Sequence, residues 1–487
     1  MDNLSKHKGI EAAVERNAVL SVLVVGVIMA AIDSTIVILA LPTIDSNLST
    51  SPVTSIWIIM SYILVLTVLS AQAGKLGDRF GRSKLYNYGL LIFVVGSALC
   101  GASLNIIMLI ASRIIQAVGG AFVSTNSSAV VSDHFKPHER GKAFGLTSMG
   151  WNIGAIIGIF LGGFLATINW RLIFLINIPI GIVILPIAFK KLKDVAEKRK
   201  ELFDIKGSVL LGVALVLFTI MAVLSMYGGI TTTVVLLLVA SIIFIGLFLF
   251  VQVNAKFPTI DFSLFKSRIF TFSVLASALQ FMASFAILFI LILYLQGVRG
   301  LNPLLSSVYL LPGYVVGGIL AVMSGRLSDK IGARIPATIG LILIAIGYIF
   351  YIIFITPTSP LYYIALITIL TGLGSGLFWP ANISAIMSNT PSGKYGMGAG
   401  VNRLLNNIGM VMSFVIALTI ISSSIPRQTA FSIFLGTQIN SAAINGGAFI
   451  SGLDSALIAS VMIIIIAAII SAVRGKENRM KISMNGL

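Results

Sequence analysis

Fourteen long apolar runs limit what this chain can become. They fall near residues 18–41, 54–73, 85–103, 106–129, 142–167, 171–189, 207–225, 231–253, 269–296, 305–324, 336–355, 361–386, 397–422 and 453–473. A helix needs about 20 apolar residues to cross the hydrocarbon core of a bilayer, and each run approaches or exceeds that length. Apolar residues are continuous within the runs rather than alternating. The runs therefore read as helices, because backbone groups in lipid must bond within their own segment. With 57% apolar and only 10% charged residues, the chain cannot clothe a water-facing surface, where roughly 25% charged is usual. An all-α polytopic membrane protein is predicted. No cleavable signal peptide is expected, since the first apolar run leads straight into further spans.

The formal net charge of +17 would suggest nucleic acid in a soluble protein. Its placement argues otherwise. Of the 33 Lys and Arg residues, Arg171, Arg299 and Arg427 fall in loops on one side, and Arg113 and Arg403 fall within spans. All the others lie on the opposite side, which the positive-inside rule makes cytoplasmic. The expectation is a multi-pass cell-membrane protein with both termini in the cytoplasm and no nucleic-acid partner. The single Cys100 excludes an internal disulfide and a CxxC metal site. His7, His134 and His138 all fall in predicted loops, which leaves paired haem ligation unsupported. No metal or cofactor is expected. No GxxxxGK[ST] sequence is present, so an ion gradient rather than a nucleotide is the expected energy source.

An internal repeat organises the spans. Gly74-Lys75-Leu76-Gly77-Asp78-Arg79-Phe80-Gly81-Arg82 returns 251 residues later as Gly325-Arg326-Leu327-Ser328-Asp329-Lys330-Ile331-Gly332-Ala333. Each copy follows the second span of a six-span half and reads as a short basic loop. The predicted plan is an N-terminal six-helix half (1–190), a basic cytoplasmic linker (191–206), two inserted helices (207–253) and a C-terminal six-helix half (254–487). Parallel repeats of this kind are a transporter architecture, with the substrate site between the halves near the membrane midplane. Within each copy the glycines permit tight turns. Asp78 is expected near the start of the third span, where a carboxylate favours the positive end of a helix, and Lys75, Arg79, Arg82 and Lys84 are available to pair with it. The stretch 423–452 reads as a partly ordered outer loop.

Three ordered signatures carry a family resemblance. The loop Gly74–Lys84 resembles motif A of the major facilitator superfamily. Ala31-Ile32-Asp33-Ser34-Thr35-Ile36-Val37-Ile38-Leu39-Ala40-Leu41-Pro42 resembles the first-span signature of its fourteen-span drug:proton antiporters, and Trp170–Gly181 resembles that family's entry to span 6. The resemblance implies the major facilitator fold with fourteen transmembrane helices. It also implies a conformational gate formed by Gly74, Asp78, Arg79, Gly81 and Arg82, with Gly325, Asp329 and Gly332 as the second copy.

Asp33 is the only carboxylate deep within a predicted span. Such a group costs roughly 2.5–3.5 kcal/mol at a helix centre on insertion scales, so a function is expected of it. A membrane carboxylate that alternates between neutral and charged forms can exchange a proton for a cationic substrate. The alternative is a fixed ion pair or helix–helix hydrogen bond. Arg113, in a segment resembling motif B with Ala117 at a usual glycine, keeps its charge and needs a partner or a wet cavity. Asp33 and Arg113 are the expected proton-coupling residues. Gly150, Gly154, Gly158, Gly162 and Gly163 place a smooth stripe on span 5 for close helix packing. The stripe resembles motif C, which in the family forms part of the interface between halves. Ile159 replaces that motif's usual proline, which weakens the inference of antiport over uniport. Candidate pocket residues are Trp57, Tyr62, Gln116, Trp151, Trp379, Arg403 and Asn406.

The function these features imply is secondary active export by alternating access, in which a proton enters as a hydrophobic, cationic drug-like compound leaves. The absence of acids from spans 9 to 12 argues for neutral or monovalent substrates, and Arg403 would favour anionic or amphoteric ones. An exporter or uniporter of an endogenous metabolite, lipid or siderophore on the same fold stays open. A membrane enzyme would need a cluster of catalytic groups or cofactor ligands, and none is seen. The expected partners are a small-molecule substrate, protons and the lipid bilayer, with the protein a monomer.

Overall fold

In a computed structural model of the chain, residues 2–50, 52–195, 204–255, 257–301, 303–421 and 446–475 are described. Parts of two expected features, 196–203 of the linker and 422–445 of the outer stretch, lie outside the described residues. The rest is a succession of helices without a strand among the described residues. They are α1 (Asp2–Leu48), α2 (Pro52–Phe80), α3 (Arg82–Gly101), α4 (Ile106–His134), α5 (Arg140–Ile168), α6 (Leu172–Leu175) and α7 (Asn177–Lys191). After these come α8 (Ile205–Gly228), α9 (Thr232–Asn254), α10 (Arg268–Leu293), α11 (Pro303–Ile331), α12 (Arg334–Phe354), α13 (Tyr362–Ser388), α14 (Tyr395–Ile421) and α15 (Gly446–Val473). Helices α6 and α7 together form the sixth span, so fourteen helical segments are long and apolar enough to cross a membrane.

Helices α2, α4, α5 and α11 are each 29 residues long. At 1.5 Å per residue this is about 43 Å, well beyond a hydrocarbon core of about 30 Å. In α2, α5 and α11 the surplus turns carry basic residues. The repeated pattern is accordingly not a loop, as its composition suggests, but mostly the last turns of α2 and α11. Gly81 leaves the helix in the first copy and Gly332 with Ala333 in the second; the two glycines have φ of 111° and 96°, a conformation that glycine adopts without steric cost. The end of the molecule where these turns lie is called the basic end below.

The helices sort into two six-span halves and an inserted pair. In the first half α1 packs along α5, and α4 packs on both α2 and α3; α3 and α1 also touch α7. In the second half α10 packs along α14, α13 packs on α11 and α12, and α15 lies against α12 and α10. The two sets of contacts correspond helix for helix, as a duplicated fold requires. The halves meet along two seams, α5 on α11 and α2 on α14. Helices α8 and α9 pack on each other, and α8 touches both α2 and α14, which places the inserted pair against one seam. The Ser241 hydroxyl of α9 donates to the Ala214 carbonyl of α8 at 2.9 Å.

The glycine stripe of α5 faces α1. A β-carbon added at Gly154 would lie 2.6 Å from the Ile28 carbonyl oxygen, and one at Gly158 would lie 2.0 Å from the Thr35 hydroxyl. Gly150 and Gly162 face Val24 and Ile36 in the same way. The surroundings of Gly163 lie outside the described residues. The stripe therefore joins two helices of one half and not the two halves, which corrects the placement implied by the motif C resemblance. The face of α5 that meets α11 carries other glycines, described below.

Overpacking this contact tests it. Gly154→Val should cost about 1–3 kcal/mol, the usual penalty for forcing a side chain into a filled site, and should lower the apparent Tm of the detergent-solubilised protein. Gly246→Ala, at a position with nothing within 4 Å of the added carbon, should not. Equal melting of both variants would sink the packing role.

Candidate functional site

Five spans of the first half converge on one dry cluster of polar groups. Asp33 of α1 has no solvent exposure, and Arg113 of α4 has almost none. One terminal nitrogen of Arg113 donates to both carboxylate oxygens of Asp33, at 2.9 and 2.8 Å, and to the Gln116 side-chain oxygen at 2.7 Å. The Arg113 Nε donates to the Ile58 carbonyl of α2 at 3.2 Å. Gln116 Nε2 donates to Asp33 at 2.9 Å and to Ser97 of α3 at 2.6 Å, and Asn177 of α7 donates to the same Ser97 hydroxyl at 3.1 Å. Below the guanidinium lies the Tyr62 ring, 4.1 Å from centroid to Cζ, with Phe174 at 5.7 Å. The Cys100 thiol donates weakly to Gln116 Oε1 at 3.7 Å.

The geometry has a simple physical reason. A buried charge is tolerable only with an opposite charge and hydrogen bonds around it, and this cluster supplies both. Asp33 and Arg113, read from sequence as a pair without evidence of contact, are in direct contact. Gln116, a candidate pocket residue expected to add a hydrogen bond in the same cavity, bonds to both Arg113 and Asp33. Ser97 and Asn177 were missed. As ordinary polar residues in apolar helices they gave no signal beyond being polar within a span.

A second set of polar contacts closes the seams at the basic end. Asp78, in the last turns of α2, accepts hydrogen bonds from the backbone N–H groups of Gly396 and Met397 at 2.9 Å each. It thus serves the N-terminus of α14, in the other half. The sequence reading assigned this carboxylate to the start of the third span. There it is Asp194 that accepts from the Ser83 N–H, at 2.8 Å. Asp329, the equivalent residue of the second copy, accepts from the N–H groups of Gly141 and Lys142 at 3.0 Å each, at the start of α5. Each copy of the repeat places its aspartate on a helix N-terminus of the opposite half.

Glycines allow the approach. An added carbon at Gly74 would lie 2.0 Å from the Gly396 carbonyl oxygen, and one at Gly325 would lie 2.0 Å from that of Gly141. One turn on, Gly145 meets the Ala321 carbonyl and Gly400 meets that of Ser70. Gly141 and Gly145 recur as Gly396 and Gly400, a second internal repeat that carries no charge and escaped the sequence reading. Arg82 adds an ion pair at the first seam. Its Nε donates to Asp78 at 2.7 Å, one terminal nitrogen donates to Asp133 and the other to the Ser392 carbonyl at 3.0 Å. Tyr395 lies between Arg82 and Arg140, and Arg140 donates to its hydroxyl at 2.9 Å.

The remaining expected residues are dispersed. Arg79 does not pair with Asp78; its guanidinium lies over the Phe80 ring. Lys75 is buried and donates to the carbonyls of Phe257 and Pro258, at 2.6 and 3.0 Å, which ties α2 to the segment after the inserted pair. Gly81 and Gly332 form the turns already noted. Trp379 packs on Phe281 and Phe378. Arg403 makes no hydrogen bond among the described residues, and the Asn406 side-chain oxygen is buried without a partner. Trp57 and Trp151 are half-buried. A cavity of about 180 Å³ lies elsewhere, in the second half, and none of these pocket candidates lines it.

Three carboxylates outside the spans have shifted acidities. Burial pushes the Asp45 carboxyl above its ordinary range, partly offset by hydrogen bonds from Ser55 and Thr50. Asp204 and Asp261 lie below theirs. Burial opposes this in both, but is outweighed by hydrogen bonds from Gln252, the Gly207 N–H and Thr259 to Asp204, and from Lys394 and Ser263 to Asp261.

Comparison with known proteins agrees with this geometry. The Major Facilitator Superfamily signature matches residues 23–414. The chain is 32% identical over 416 residues to the riboflavin transporter RibZ of Clostridioides difficile (strain 630), covering 85% of this chain and 89% of that one. It is 32% identical over 373 residues to the methylenomycin A resistance protein of Bacillus subtilis (strain 168), covering 76% and 80%. The multidrug transporter protein MdtP of the same strain is 28% identical over 398 residues, covering 81% and 73%. In fold, the chain resembles the human organic anion transporter MFSD10, with a TM-score of 0.63 at 14% identity over 94% of this chain and 99% of that one.

The seam contacts lead to a measurable expectation. Ser70 is fully buried where Gly400 crosses it. In a Cys100→Ser background, a Ser70→Cys reporter should react slowly with a maleimide. Adding Asp78→Asn removes the charge that Arg82 and two N–H groups share, and loss of a buried ionic partner costs roughly 3–5 kcal/mol. Labelling should accelerate at least several-fold; an unchanged rate would remove Asp78 from the closure.

Proposed function

We propose that this chain, which belongs to the Major Facilitator Superfamily, exports hydrophobic small molecules across the cell membrane in exchange for protons. The basic end is then the cytoplasmic one, and the conformation described is the one closed to the cytoplasm. The observation that carries the reading is the dry Asp33–Arg113 pair. Relatives named for multidrug transport and methylenomycin A resistance support the export of foreign compounds.

The proposed coupling runs through shared helices. A proton that reaches an Asp33 oxygen cancels the carboxylate charge and the attraction of Arg113. Arg113 keeps its other acceptors, the Ile58 carbonyl and Gln116, and the face of Tyr62. It therefore stays with α2 and α4 while α1 is released. Helix α1 is seated on α5 by the glycine stripe, and the start of α5 is held by Asp329. Protonation thus loosens one end of a chain of contacts whose other end is the seam. Because both Asp33 oxygens are occupied here, the carboxylate does not present itself to a cationic substrate in this conformation. A second reading, transport of an endogenous metabolite, is supported by the relative named as a riboflavin transporter.

Reconstitution into proteoliposomes with an imposed pH gradient tests the proposal. The wild type should move substrate in response to the gradient. Asp33→Asn should reach the membrane and lose at least tenfold of the gradient-driven rate. Full gradient-driven activity of Asp33→Asn would overturn the role of Asp33, and substrate movement by the wild type that ignores the gradient would point to uniport.

A further inference from the structure

The cavity in the second half has the chemistry of a ligand chamber. We infer that this chamber, walled by Tyr314, Tyr348, Tyr351, Gln280, Thr371 and Asn152, binds an uncharged, planar aromatic compound that carries hydrogen-bonding groups. The inference rests on the transport reading above and names a substrate class for it.

Three observations carry it. First, none of the residues lining the chamber is ionisable near neutral pH. An ion drawn into it would lose its hydration without a counter-charge, a penalty of the kind the Asp33 cluster needs Arg113 to offset. Second, three tyrosines from α11 and α12 converge on it. Their rings present flat apolar surface with a polar rim, which suits an aromatic ligand better than an aliphatic one. Third, its polar groups have unused capacity. The Tyr351 hydroxyl is buried without a hydrogen-bond partner among the described residues. The hydroxyls of Thr371 and Ser375 donate to carbonyls of their own helix, at 3.1 Å each, so their lone pairs stay available as acceptors. A buried hydroxyl left unpaired is costly, and a ligand that supplies its partner recovers that cost.

The chamber also touches the seam. Asn152 belongs to α5 and reaches the wall over Gly317 and Gly318 of α11, where an added carbon would lie 3.4 and 3.5 Å from it. Every other lining residue comes from the second half. Any motion of α5 along α11 must therefore alter this wall. At about 180 Å³ the chamber is smaller than the roughly 300–1,000 Å³ usual for drug-sized ligands, so it accommodates a compact ring system or the ring portion of a larger molecule.

A matched series of tricyclic probes tests the inference with the purified full-length protein. Acridone is neutral with an N–H and a carbonyl, 10-methylacridinium is a permanent cation, and acridine-9-carboxylate is an anion. Acridone should bind at neutral pH, by fluorescence quenching or calorimetry, with at least tenfold higher affinity than either ion. Tyr351→Phe and Gln280→Leu should each weaken acridone at least fivefold while leaving the apparent Tm within a degree or two of wild type. Absence of acridone binding to the wild type, equal affinity for the cation, or unchanged affinity in both variants would overturn the inference. The Asp33→Asn protein separates it from the transport reading: it should still bind acridone in preference to either ion while failing in gradient-driven transport. Binding retained together with full transport would leave the chamber standing and remove the proton role of Asp33.

Discussion

Two aspartates that end the helices of one half on the helix beginnings of the other hold the closed structure together. A helix N-terminus exposes N–H groups with no partner inside the helix, and it carries the positive end of the helix dipole. Asp78 satisfies two such groups on α14, and Asp329 satisfies two on α5. Such bonds are strong because the acceptor is charged, and they form only if the backbones come close. Glycine on both sides permits that approach, and no other residue type would at Gly74 against Gly396 or Gly325 against Gly141. Four helices are thereby fixed at one end. The inserted pair lies against the α2–α14 seam, and Lys75 binds the segment that follows it. One of the four, α5, also carries the glycine stripe on which α1 is seated.

The closure is repeated in design, but its two copies differ in burial. The first aspartate also pairs with Arg82, is nearly excluded from solvent and sits beside Tyr395 and Arg140. The second has Ala333 where the first copy has Arg82, and Asp329 is half-exposed. The drier seam adds the Arg82 ion pair to its two N–H donors. The same inequality runs through the spans. The first half carries the buried ion pair, whereas the chamber in the second half is lined without charge. Separating them has a physical logic: a buried ion pair needs saturated hydrogen bonding, while a ligand chamber needs polar groups left unsatisfied.

The sequence made the span count legible, displayed a repeated charged pattern, and singled out Asp33 and Arg113 without placing them in contact. Spans are read from continuous apolar length, and duplication from a charged pattern that returns at fixed spacing. Asp33 and Arg113 stand out because ions are scarce in lipid, but their contact exists only once α1 and α4 are assembled. What sequence obscured were contacts between residues far apart in the chain. Asp78 was assigned to the nearest helix start, although its true partners lie 318 and 319 residues away. The physics was right and the helix was wrong, because Asp194 already served the nearer one. The glycine stripe showed the same limit, since spacing identified a close-packed face without identifying what packs on it. Tyr395, Asp133, Asn177 and the chamber tyrosines are ordinary residues whose roles exist only once several helices are assembled.

One line of contacts joins these parts. Helix α1 carries Asp33 and rests on α5 along four glycines, so it has little freedom to move without α5. Helix α5 begins at the Asp329 contact, crosses α11 at Gly145 and Asn152, and there reaches the chamber wall. Close-packed glycine contacts transmit displacement well, because no flexible side chain lies between the backbones to absorb it. A change at Asp33 and a ligand beside Asn152 would therefore act on the same helix from opposite sides. Under the proposed function, this makes α5 the element whose position both the proton and the substrate bias. The two sites need no direct contact for each to alter the other's free energy of binding.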